Sequence, residues 1–246
     1  MLEVRNLAKS FGGVSATDDV SIDVRPGEIH AVIGPNGAGK TTLISQLAGE
    51  LLPDAGQILL DDHDITRLPV HARAHRGLAR SYQITSVFQN MTVLENVALA
   101  VQAHDGHSFR FWAPVRSNMQ IRERALEVLD SVGLSALANA SVAALAHGQQ
   151  RQLEIAMALA SSPKLLLLDE PLAGMGGEES QDMVQILAGL RTSHAILLIE
   201  HDMDAVFQLA DRISVLVYGK LIATDAPDEI RINPEVRTAY LGEDAA

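Results

Sequence analysis

The stretch that most constrains this chain is glycine-rich and runs Gly34-Pro-Asn-Gly-Ala-Gly-Lys40-Thr41. Apolar residues dominate positions 29–33 before it, and a run with helical spacing follows it from Leu43 to Leu47. This order predicts a buried strand, a tight turn and a helix whose first N–H groups face a concave space. Because those N–H groups and the helix dipole favour negative charge, we expect the turn to bind the phosphates of a nucleotide.

The residue types in this turn suit particular tasks. Glycines at positions 34, 37 and 39 let the backbone wrap closely around an anion. Lys40 can reach the outer phosphates as a point charge, and the Thr41 hydroxyl is placed to ligate the Mg²⁺ that accompanies a nucleoside triphosphate. The alternative is a glycine turn that caps an ordinary helix, which an isolated match to the pattern would leave open.

A second motif consists of four leucines followed by two acidic residues and a proline, Leu165-Leu-Leu-Leu-Asp169-Glu170-Pro171. The leucines predict a fully buried strand, and ligands of an open α/β sheet gather at the carboxyl ends of its strands. Asp169 is suited to holding hydrated Mg²⁺, whereas Glu170 is suited to orienting or deprotonating the attacking water in phosphoryl transfer. Two ordinary surface acids are the alternative, which the upstream glycine loop disfavours.

Composition excludes several kinds of site and partner. Cysteine is absent, so disulfides, thiolate metal sites and cysteine catalysis are ruled out. The 19 Lys plus Arg against 31 Asp plus Glu give a formal charge of −12, so nucleic acid is not expected as a direct partner. No basic segment followed by an apolar core opens the sequence, and no apolar run approaches the roughly 18 residues that span a bilayer. We expect a protein that is soluble, or held at a membrane by another.

Hydrophobic patterning along the chain predicts an α/β fold. Alternation at residues 2–7 and 20–24 predicts half-exposed strands, and the apolar runs 195–199 and 213–217 predict buried ones. Strands that alternate with helices in the last third favour a mostly parallel sheet with helices on both faces. Residues 84–161 show helical periodicity instead, and we expect a mainly helical insert there.

Two segments leave alternatives open. After a turn at residues 53–56 and a short strand at 57–60, the run Asp-Asp-His-Asp at 61–64 superficially resembles a metal site. Without convergent ligand spacing it is more typical of a solvated turn. The aromatic loop Phe109-Arg-Phe-Trp112 is either a partner-binding surface or a set of rings that fixes a long loop to the helices beneath it.

A third motif, Leu145-Ala-His-Gly-Gln-Gln-Arg151, precedes a helix with one apolar face and lies shortly before the four leucines at positions 165–168. Gly148 followed by helix N–H groups could form another anion site, although a glycine before a helix is usually a simple cap. With all three motifs in this order, the chain resembles the nucleotide-binding subunits of ABC transporters. Their signature segment reads Leu-Ser-Gly-Gly-Gln at this point, and the resemblance extends over essentially the whole chain.

The resemblance implies an architecture. It is α/β, a P-loop NTPase of the ABC ATPase type with a mostly parallel core sheet, an antiparallel β part at the N-terminus and an inserted helical subdomain. We expect a single ABC ATPase domain over residues 1–246. Its RecA-like core would comprise residues 1–83 and 162–246, and its helical subdomain, with the signature segment, residues 84–161.

The resemblance also implies roles for residues that match the family motifs. Gln83 matches the glutamine that contacts Mg²⁺ and senses the γ-phosphate, His201 the switch histidine and Phe11 the aromatic residue that stacks on adenine. Taken alone, Phe11 would be a core residue and His201 a polar residue at a strand end. The expected catalytic residues are Lys40, Glu170 and His201, and the expected Mg²⁺ ligands are Thr41, Gln83 and Asp169. The expected nucleotide-binding residues are Phe11, Gly34, Asn36, Gly37, Ala38, Gly39, Lys40, Thr41, Thr42, Gln83, His147, Gly148 and Gln149.

Partners follow from the same resemblance. In this family two ATPase copies pack head to tail, and each ATP lies between the Walker A loop of one, which residues 34–42 resemble here, and the signature segment of the other. The implied partners are a second ATPase subunit, identical or different, two polytopic membrane subunits and, indirectly, an extracytoplasmic binding protein. ATP and Mg²⁺ are the implied cofactors. The implied location is peripheral, at the cytoplasmic face of the inner (plasma) membrane.

Departures from the common pattern point to a subgroup. Ala146 replaces the signature serine and His147 a glycine, and residues 172–176 lack the aspartate that many relatives carry. These features are similar to the ATPases of branched-chain amino acid importers, as are residues 91–96, 109–112, 199–203 and 233–243. Import of a hydrophobic amino acid is therefore implied, with urea or a related amide or acid as the alternative. Residues 68–77 are also similar to lipopolysaccharide-export ATPases, which keep the serine.

Two further functional hypotheses belong to other classes. A soluble ATP-dependent clamp would carry a long coiled-coil insertion or two nucleotide domains, and this acidic chain has one motif set and a short insert. A nucleotide-binding regulatory subunit without hydrolysis is the other hypothesis, and the presence of Glu170 argues against it.

Overall fold

The computed structural model describes residues 1–81, 87–104 and 119–241. Its strands are β1 (Leu2–Phe11), β2 (Val14–Val24), β3 (Ile29–Ile33), β4 (Ala55–Leu60), β5 (His63–Asp64), β6 (Leu78–Arg80), β7 (Leu165–Asp169), β8 (Ala195–Ile199), β9 (Arg212–Val217) and β10 (Lys220–Asp225). Its helices are α1 (Lys40–Ala48), α2 (Val70–Ala74), α3 (Val93–His104), α4 (Met119–Ser131), α5 (His147–Leu159), α6 (Gly177–Leu190), α7 (Met203–Leu209), α8 (Pro227–Ile232) and α9 (Pro234–Leu241).

A six-stranded sheet in the order β10-β9-β3-β8-β7-β6 forms the centre of the molecule. Its strands run parallel except for β10, which pairs antiparallel with β9 at one edge. Every residue of β3, β7 and β8 is buried, as expected of strands covered on both faces. The predicted mostly parallel sheet is therefore confirmed, and the carboxyl ends of β3, β7 and β8 meet at one edge.

A second, antiparallel sheet in the order β2-β1-β4-β5 contains the N-terminal strands. Its inward side chains and α1 share one hydrophobic cluster with a face of the parallel sheet. The predicted turn at residues 53–56 is shorter than expected, because β4 begins at Ala55, which pairs with Ala8 of β1. Gly56 there has φ +93°, and a Cβ would approach the carbonyl oxygens of Arg5 and Asn6, so the strand requires this glycine.

Three longer helices, α3, α4 and α5, lie within the segment that the sequence predicts to be helical. They pack on one another and form one continuous hydrophobic cluster with α6 and with the second face of β7 and β8. Among the described residues, no helix combines the length and the apolar character needed to cross a bilayer.

A buried histidine in β3 makes stability depend on pH. The His30 side chain is fully buried, its Nδ1 lies 2.7 Å from the carbonyl oxygen of Asp23, and its Nε2 lies 2.8 Å from Ser214 Oγ. The carbonyl can only accept, so Nδ1 carries the proton and Nε2 accepts from the serine hydroxyl. Burial lowers the pKa of His30, and the nearby Arg212 adds to the effect. The folded state therefore binds a proton less readily than the unfolded chain.

We expect the free energy of unfolding to fall as the pH drops below about 6.5, by up to about 1.4 kcal/mol per pH unit from this one group. Denaturant titrations between pH 8 and 5 measure the free energy of unfolding of the wild type and of His30→Gln. The difference between the two free energies gives the contribution of His30 at each pH. Buried carboxyl groups with raised pKa values act in the opposite direction in both proteins and cancel in that difference. A difference that stays constant over this range would contradict the prediction.

Candidate nucleotide-binding site

The glycine-rich loop connects β3 to α1 and is pressed between two other strands. A Cβ on Gly34 would overlap the carbonyl oxygen of Leu216 in β9, and a Cβ on Gly39 would overlap that of Ala16 in β2. Gly37 and Gly39 have φ values of +78° and +106°, which favour glycine. Close backbone approach therefore requires glycine at positions 34 and 39, the left-handed conformation favours glycine at position 37, and the predicted strand, turn and helix are confirmed.

The first turn of α1 is free of groups that would compete with an anion. No side chain caps the helix start at Gly39, and the first turn contains no acidic residue. Asn36, Gly37 and Thr41 are exposed, Thr42 is half-buried and Ala38 is buried. A triphosphate therefore fits this loop, which offers uncapped N–H groups and a positive helix end with no acidic residue in the first turn of the helix.

Lys40 lies with its ammonium group against the loop. Its Nζ donates to the carbonyl oxygens of Gly34 at 2.5 Å and Pro35 at 3.0 Å, and the residue is buried. Burial lowers the pKa of Lys40, while the carboxylates of Glu170 and Asp169 oppose that shift. These acids are thus close enough to the ammonium group to act on it electrostatically, as expected of a shared site.

Asp169 ends β7 as a buried carboxylate rather than a surface acid. Its Oδ2 accepts a hydrogen bond from Arg80 Nη2 at 2.9 Å, and burial raises its pKa while Arg80 opposes the rise. Arg80 Nη1 also donates to Glu50 at 2.6 Å and to Ser45 Oγ at 3.1 Å, which links α1 to β7. Sequence reasoning missed this role of Arg80. A basic residue at the end of a strand next to the acidic one was the available signal, but only pairing of β6 with β7 makes it meaningful.

Glu170 and His201 lie close together after β7 and β8. His201 Nδ1 lies 3.8 Å from Glu170 Oε1. Glu170 has φ +49°, a left-handed conformation that is uncommon outside glycine, and its N–H donates to Ile199 at 2.8 Å. Such strained residues persist where the surrounding structure holds them, and they cluster at functional sites.

Glu200, which sequence reasoning did not single out, organises the turn beside this pair. Its buried side chain accepts N–H bonds from Leu172 at 2.8 Å and from His201 at 3.0 Å. Burial raises the pKa of Glu200, and the backbone N–H donors oppose that rise. The carboxylate thereby ties the loop after Glu170 to the turn that carries His201.

Phe11 lies at the end of β1, with 53% of its surface exposed. The interpretation of Phe11 as a core residue is therefore wrong, because the strand end projects beyond the sheets. Lys9 Nζ lies 5.8 Å from the centroid of the ring. Gln83 and the aromatic loop at residues 109–112 fall outside the described residues.

The signature segment opens α5 and faces another part of the molecule. His147 is its first residue and is exposed, Gly148 is buried against Glu179 of α6, and Gln149 Oε1 accepts the N–H of Ala146 at 3.1 Å. Among the described residues, no hydrogen bond or ion pair joins residues 147–149 to the glycine loop. The structure thus gathers Lys40, Asp169, Glu170 and His201, whereas the signature segment packs against α6 and against the loop after Glu170, where a Cβ on Gly174 would lie 3.4 Å from the His147 ring.

In the described parts of the chain, which include the acidic run at residues 61–64, no three His, Asp or Glu side chains are grouped so that they could hold a metal ion. Asp61 and Asp62 form a turn with φ values of +49° and +63°, and His63 and Asp64 form the short strand β5. The Asp64 side chain accepts from Thr66 and Gln57, which lowers its pKa to about 2. The interpretation as a polar turn describes it better, although its second half pairs with β4.

Comparison with known proteins adds family relationships to this geometry. A family model described as ABC transporter matches residues 17–173, and one described as branched-chain amino acid ATP-binding cassette transporter matches residues 220–246. The chain is 41% identical over 250 residues to the high-affinity branched-chain amino acid transport ATP-binding protein BraF of Pseudomonas aeruginosa. That alignment covers 99% of this chain and 98% of BraF.

A second sequence relative and a solved structure are also similar to this chain. The lipopolysaccharide export system ATP-binding protein LptB of Escherichia coli is 37% identical over 244 residues, covering 99% of this chain and 98% of LptB. Among solved structures, an ATP-binding cassette of an ABC transporter in its ADP conformation superposes with a TM-score of 0.87 at 30% identity, covering 98% of each chain. The similarity in sequence and the similarity in fold therefore both extend over nearly the full length of this chain.

Proposed function

This chain belongs to the ABC transporter family, and from that membership we propose that it binds and hydrolyses ATP to power an importer of branched-chain amino acids. The observation that carries the substrate class is the 41% identity to BraF over nearly the whole of both chains. The match of residues 220–246 to the branched-chain amino acid transporter model supports it independently. Urea, an amide or an organic acid is the alternative cargo of the same kind of machine.

The described residues suit each part of nucleotide binding. The backbone N–H groups of residues 34–42, with the Asn36 and Thr42 side chains, cradle the phosphates, and Lys40 turns from its own loop carbonyls to the outer phosphates. Thr41 and Asp169, together with Gln83, would hold Mg²⁺, which would supply positive charge to neutralise the terminal phosphates.

Hydrolysis requires a group that orients and deprotonates water. Glu170 serves this role, because its carboxylate stands at the carboxyl edge of the sheet beside the loop. His201, 3.8 Å from Glu170, contacts the γ-phosphate side of the site, and Glu200 holds the turn that positions it. In the strand order β3-β8-β7, the edge thus carries the cation after β3, the histidine after β8, and the metal ligand and the base at the end of β7.

A second ATPase subunit completes the site. The signature residues His147, Gly148 and Gln149 open α5, where His147 is exposed, and they meet the nucleotide of a partner in the head-to-tail arrangement of the family. Phe11 stacks on the adenine. Within each chain, residues 1–83 and 162–246 form the core and residues 84–161 the helical subdomain that transmits motion from Gln83.

Two polytopic membrane subunits anchor the ATPase pair at the cytoplasmic face of the inner membrane, and an extracytoplasmic binding protein delivers the cargo. The acidic net charge of −12 disfavours nucleic acid as an alternative partner. Lipopolysaccharide export is a second candidate because LptB is 37% identical. Ala146, in place of the serine of that group, favours the importer.

Purification of the chain with its native membrane partners tests the proposal. Gentle detergent extraction and mass spectrometry should recover two dissimilar polytopic proteins and an ATPase. Reconstituted into vesicles with the binding protein, this complex should take up radiolabelled leucine with ATP, and the complex carrying Glu170→Gln is the matched control. Recovery of lipopolysaccharide-export subunits would replace the importer by the exporter, and recovery of soluble partners alone would overturn the transport function.

A further inference from the structure

A two-residue turn at Tyr218 and Gly219 joins β9 to β10. The two residues have φ values of +47° and +79°, the signature of a type I′ turn, which strongly favours Asn-Gly. A left-handed conformation is unfavourable for tyrosine, and the side chain is 82% exposed, so it adds nothing to the core. The fold alone therefore gives no reason for tyrosine at this position.

Hydrogen bonds fix this turn to the phosphate-binding loop. The Gly219 N–H donates to the carbonyl oxygen of Ala38 at 2.8 Å, and the Gly219 carbonyl accepts from the N–H of Asp18 at 2.8 Å. A Cβ on Gly219 would lie 3.1 Å from the carbonyl oxygen of Ala16, the same group that meets Gly39. The position of Tyr218 relative to the loop is thus set by the backbone.

Sheet order places Tyr218 on a definite side of the site. Strand β9 runs parallel to β3 and flanks it on the side opposite β8, so the carboxyl ends of β9 and β3 share one edge. The charged groups Asp169, Glu170 and His201 follow β7 and β8 on the other side of the loop. With phosphates in the loop and their terminal end toward these groups, the nucleoside must extend toward β9 and the β1–β2 hairpin.

That side of the loop carries exposed apolar surface. Phe11 and Val14 are paired across the β1–β2 hairpin and are 53% and 69% exposed, and Tyr218 stands at the neighbouring turn. We call Phe11, Val14 and Tyr218 the apolar margin. Flat aromatic faces beside a phosphate site suit a nucleotide base, which stacks on them and leaves water.

We propose that Tyr218 forms an aromatic face of the base-binding site, in addition to Phe11, and strengthens binding of purine nucleotides to this chain. The inference rests on the proposed function, since it assumes that the loop holds the phosphates of ATP. The contact of the Tyr218 ring with the base compensates for the unfavourable backbone conformation at this position. Binding energy and stability of the empty protein should accordingly respond in opposite directions when the ring is removed.

Two substitutions separate these effects. Tyr218→Asn removes the ring and supplies the residue that the turn favours, so the unfolding temperature of the empty protein should rise by about 2–4 °C. Its affinity for Mg-ADP should fall about tenfold, whereas its affinity for Mg-pyrophosphate, which has no base, should not change. Tyr218→Phe keeps the ring and should bind Mg-ADP as the wild type does.

Isothermal titration calorimetry and thermal unfolding give both readouts. Lys220→Ala is the matched control, because Lys220 follows the turn and is exposed with an ion pair to Asp18, and it should leave both affinities unchanged. Tyr218→Gly, also suited to the turn, repeats the test with a second variant. Unchanged Mg-ADP affinity in both Tyr218→Asn and Tyr218→Gly would overturn the proposal, and so would an equal loss of pyrophosphate binding.

The experiment also distinguishes other assignments. If the wild type bound neither Mg-ADP nor pyrophosphate, the proposed function and this inference would both fail. If Tyr218→Asn bound Mg-ADP normally but, combined with Glu170→Gln, did not form the ATP dimer of Glu170→Gln in light scattering, the ring would contact the partner subunit and not the base. That result would overturn the inference while leaving the proposed ATPase intact.

Discussion

Lys40→Ala is expected to weaken ATP binding by about 100-fold or more. The wild-type Nζ already lies inside the loop, where it donates to the carbonyl oxygens of Gly34 and Pro35. Phosphate oxygens offer stronger, charge-assisted acceptors at the same place, and a contact of that kind contributes on the order of 3 kcal/mol. Alanine leaves the backbone N–H groups intact but removes the only cation that the described loop places there.

The same substitution should not destabilise the empty protein. Burial lowers the pKa of Lys40, so the folded state without nucleotide keeps a charge in an unfavourable environment, and removing it relieves that cost. Titration calorimetry with Mg-ATP and thermal unfolding measure the two effects. Lys164→Ala, which removes an exposed lysine paired with Asp61, is the control and should bind ATP normally. Near-normal ATP affinity in Lys40→Ala would contradict the phosphate-cradle interpretation.

The parts of the site that are local in sequence were predictable. The loop from Gly34 to Thr41 has a glycine wherever the backbone approaches another strand, and a few adjacent residues suffice to predict it. Asp169 and Glu170 were predictable because four leucines place them at the carboxyl end of a buried strand. Sequence periodicity likewise predicted the parallel sheet and the helices of the segment 84–161.

Long-range pairing explains what the sequence did not predict. Arg80 acts on Asp169 only because β6 lies beside β7, an adjacency between residues 89 positions apart. Glu200 looks like an ordinary acid after β8, and its role depends on the loop that contains Leu172 reaching its carboxylate. Phe11 illustrates the opposite error, since apolar character alone suggested the core, whereas its place at the β1–β2 hairpin leaves it exposed. Partners of this kind become visible once strand order is known.

Glu170→Gln is expected to lower ATP hydrolysis by roughly 10²- to 10⁴-fold while leaving Mg-ATP binding within a few-fold of the wild type. Glutamine keeps the shape of the side chain but cannot accept the proton of the attacking water, and a positioned general base contributes a factor of that size. The backbone at this residue is fixed by its N–H bond to Ile199, so the substituted amide should occupy the place of the carboxylate. Phosphate release from the purified protein measures the rate.

A dimer should accumulate in this variant. If each ATP lies between the loop of one chain and residues 147–149 of its partner, an intact γ-phosphate keeps the interface closed and hydrolysis opens it. Static light scattering at saturating Mg-ATP should report twice the mass of one chain for Glu170→Gln, and the mass of one chain with Mg-ADP. Glu235→Gln, an exposed acid on α9, is the matched control and should hydrolyse ATP at the wild-type rate.

The hydrolysis rate and the dimer mass of Glu170→Gln test different parts of the mechanism, because either prediction can be wrong while the other holds. Wild-type hydrolysis by Glu170→Gln would show that another group takes the proton, and His201, 3.8 Å away, would be the first to substitute next. A variant that binds ATP without hydrolysis yet remains monomeric would keep Glu170 as the base and reject the two-site sandwich for the isolated subunit. The signature segment would then need the membrane subunits to bring it to the partner's nucleotide, since within one chain the described residues leave it apart from the loop.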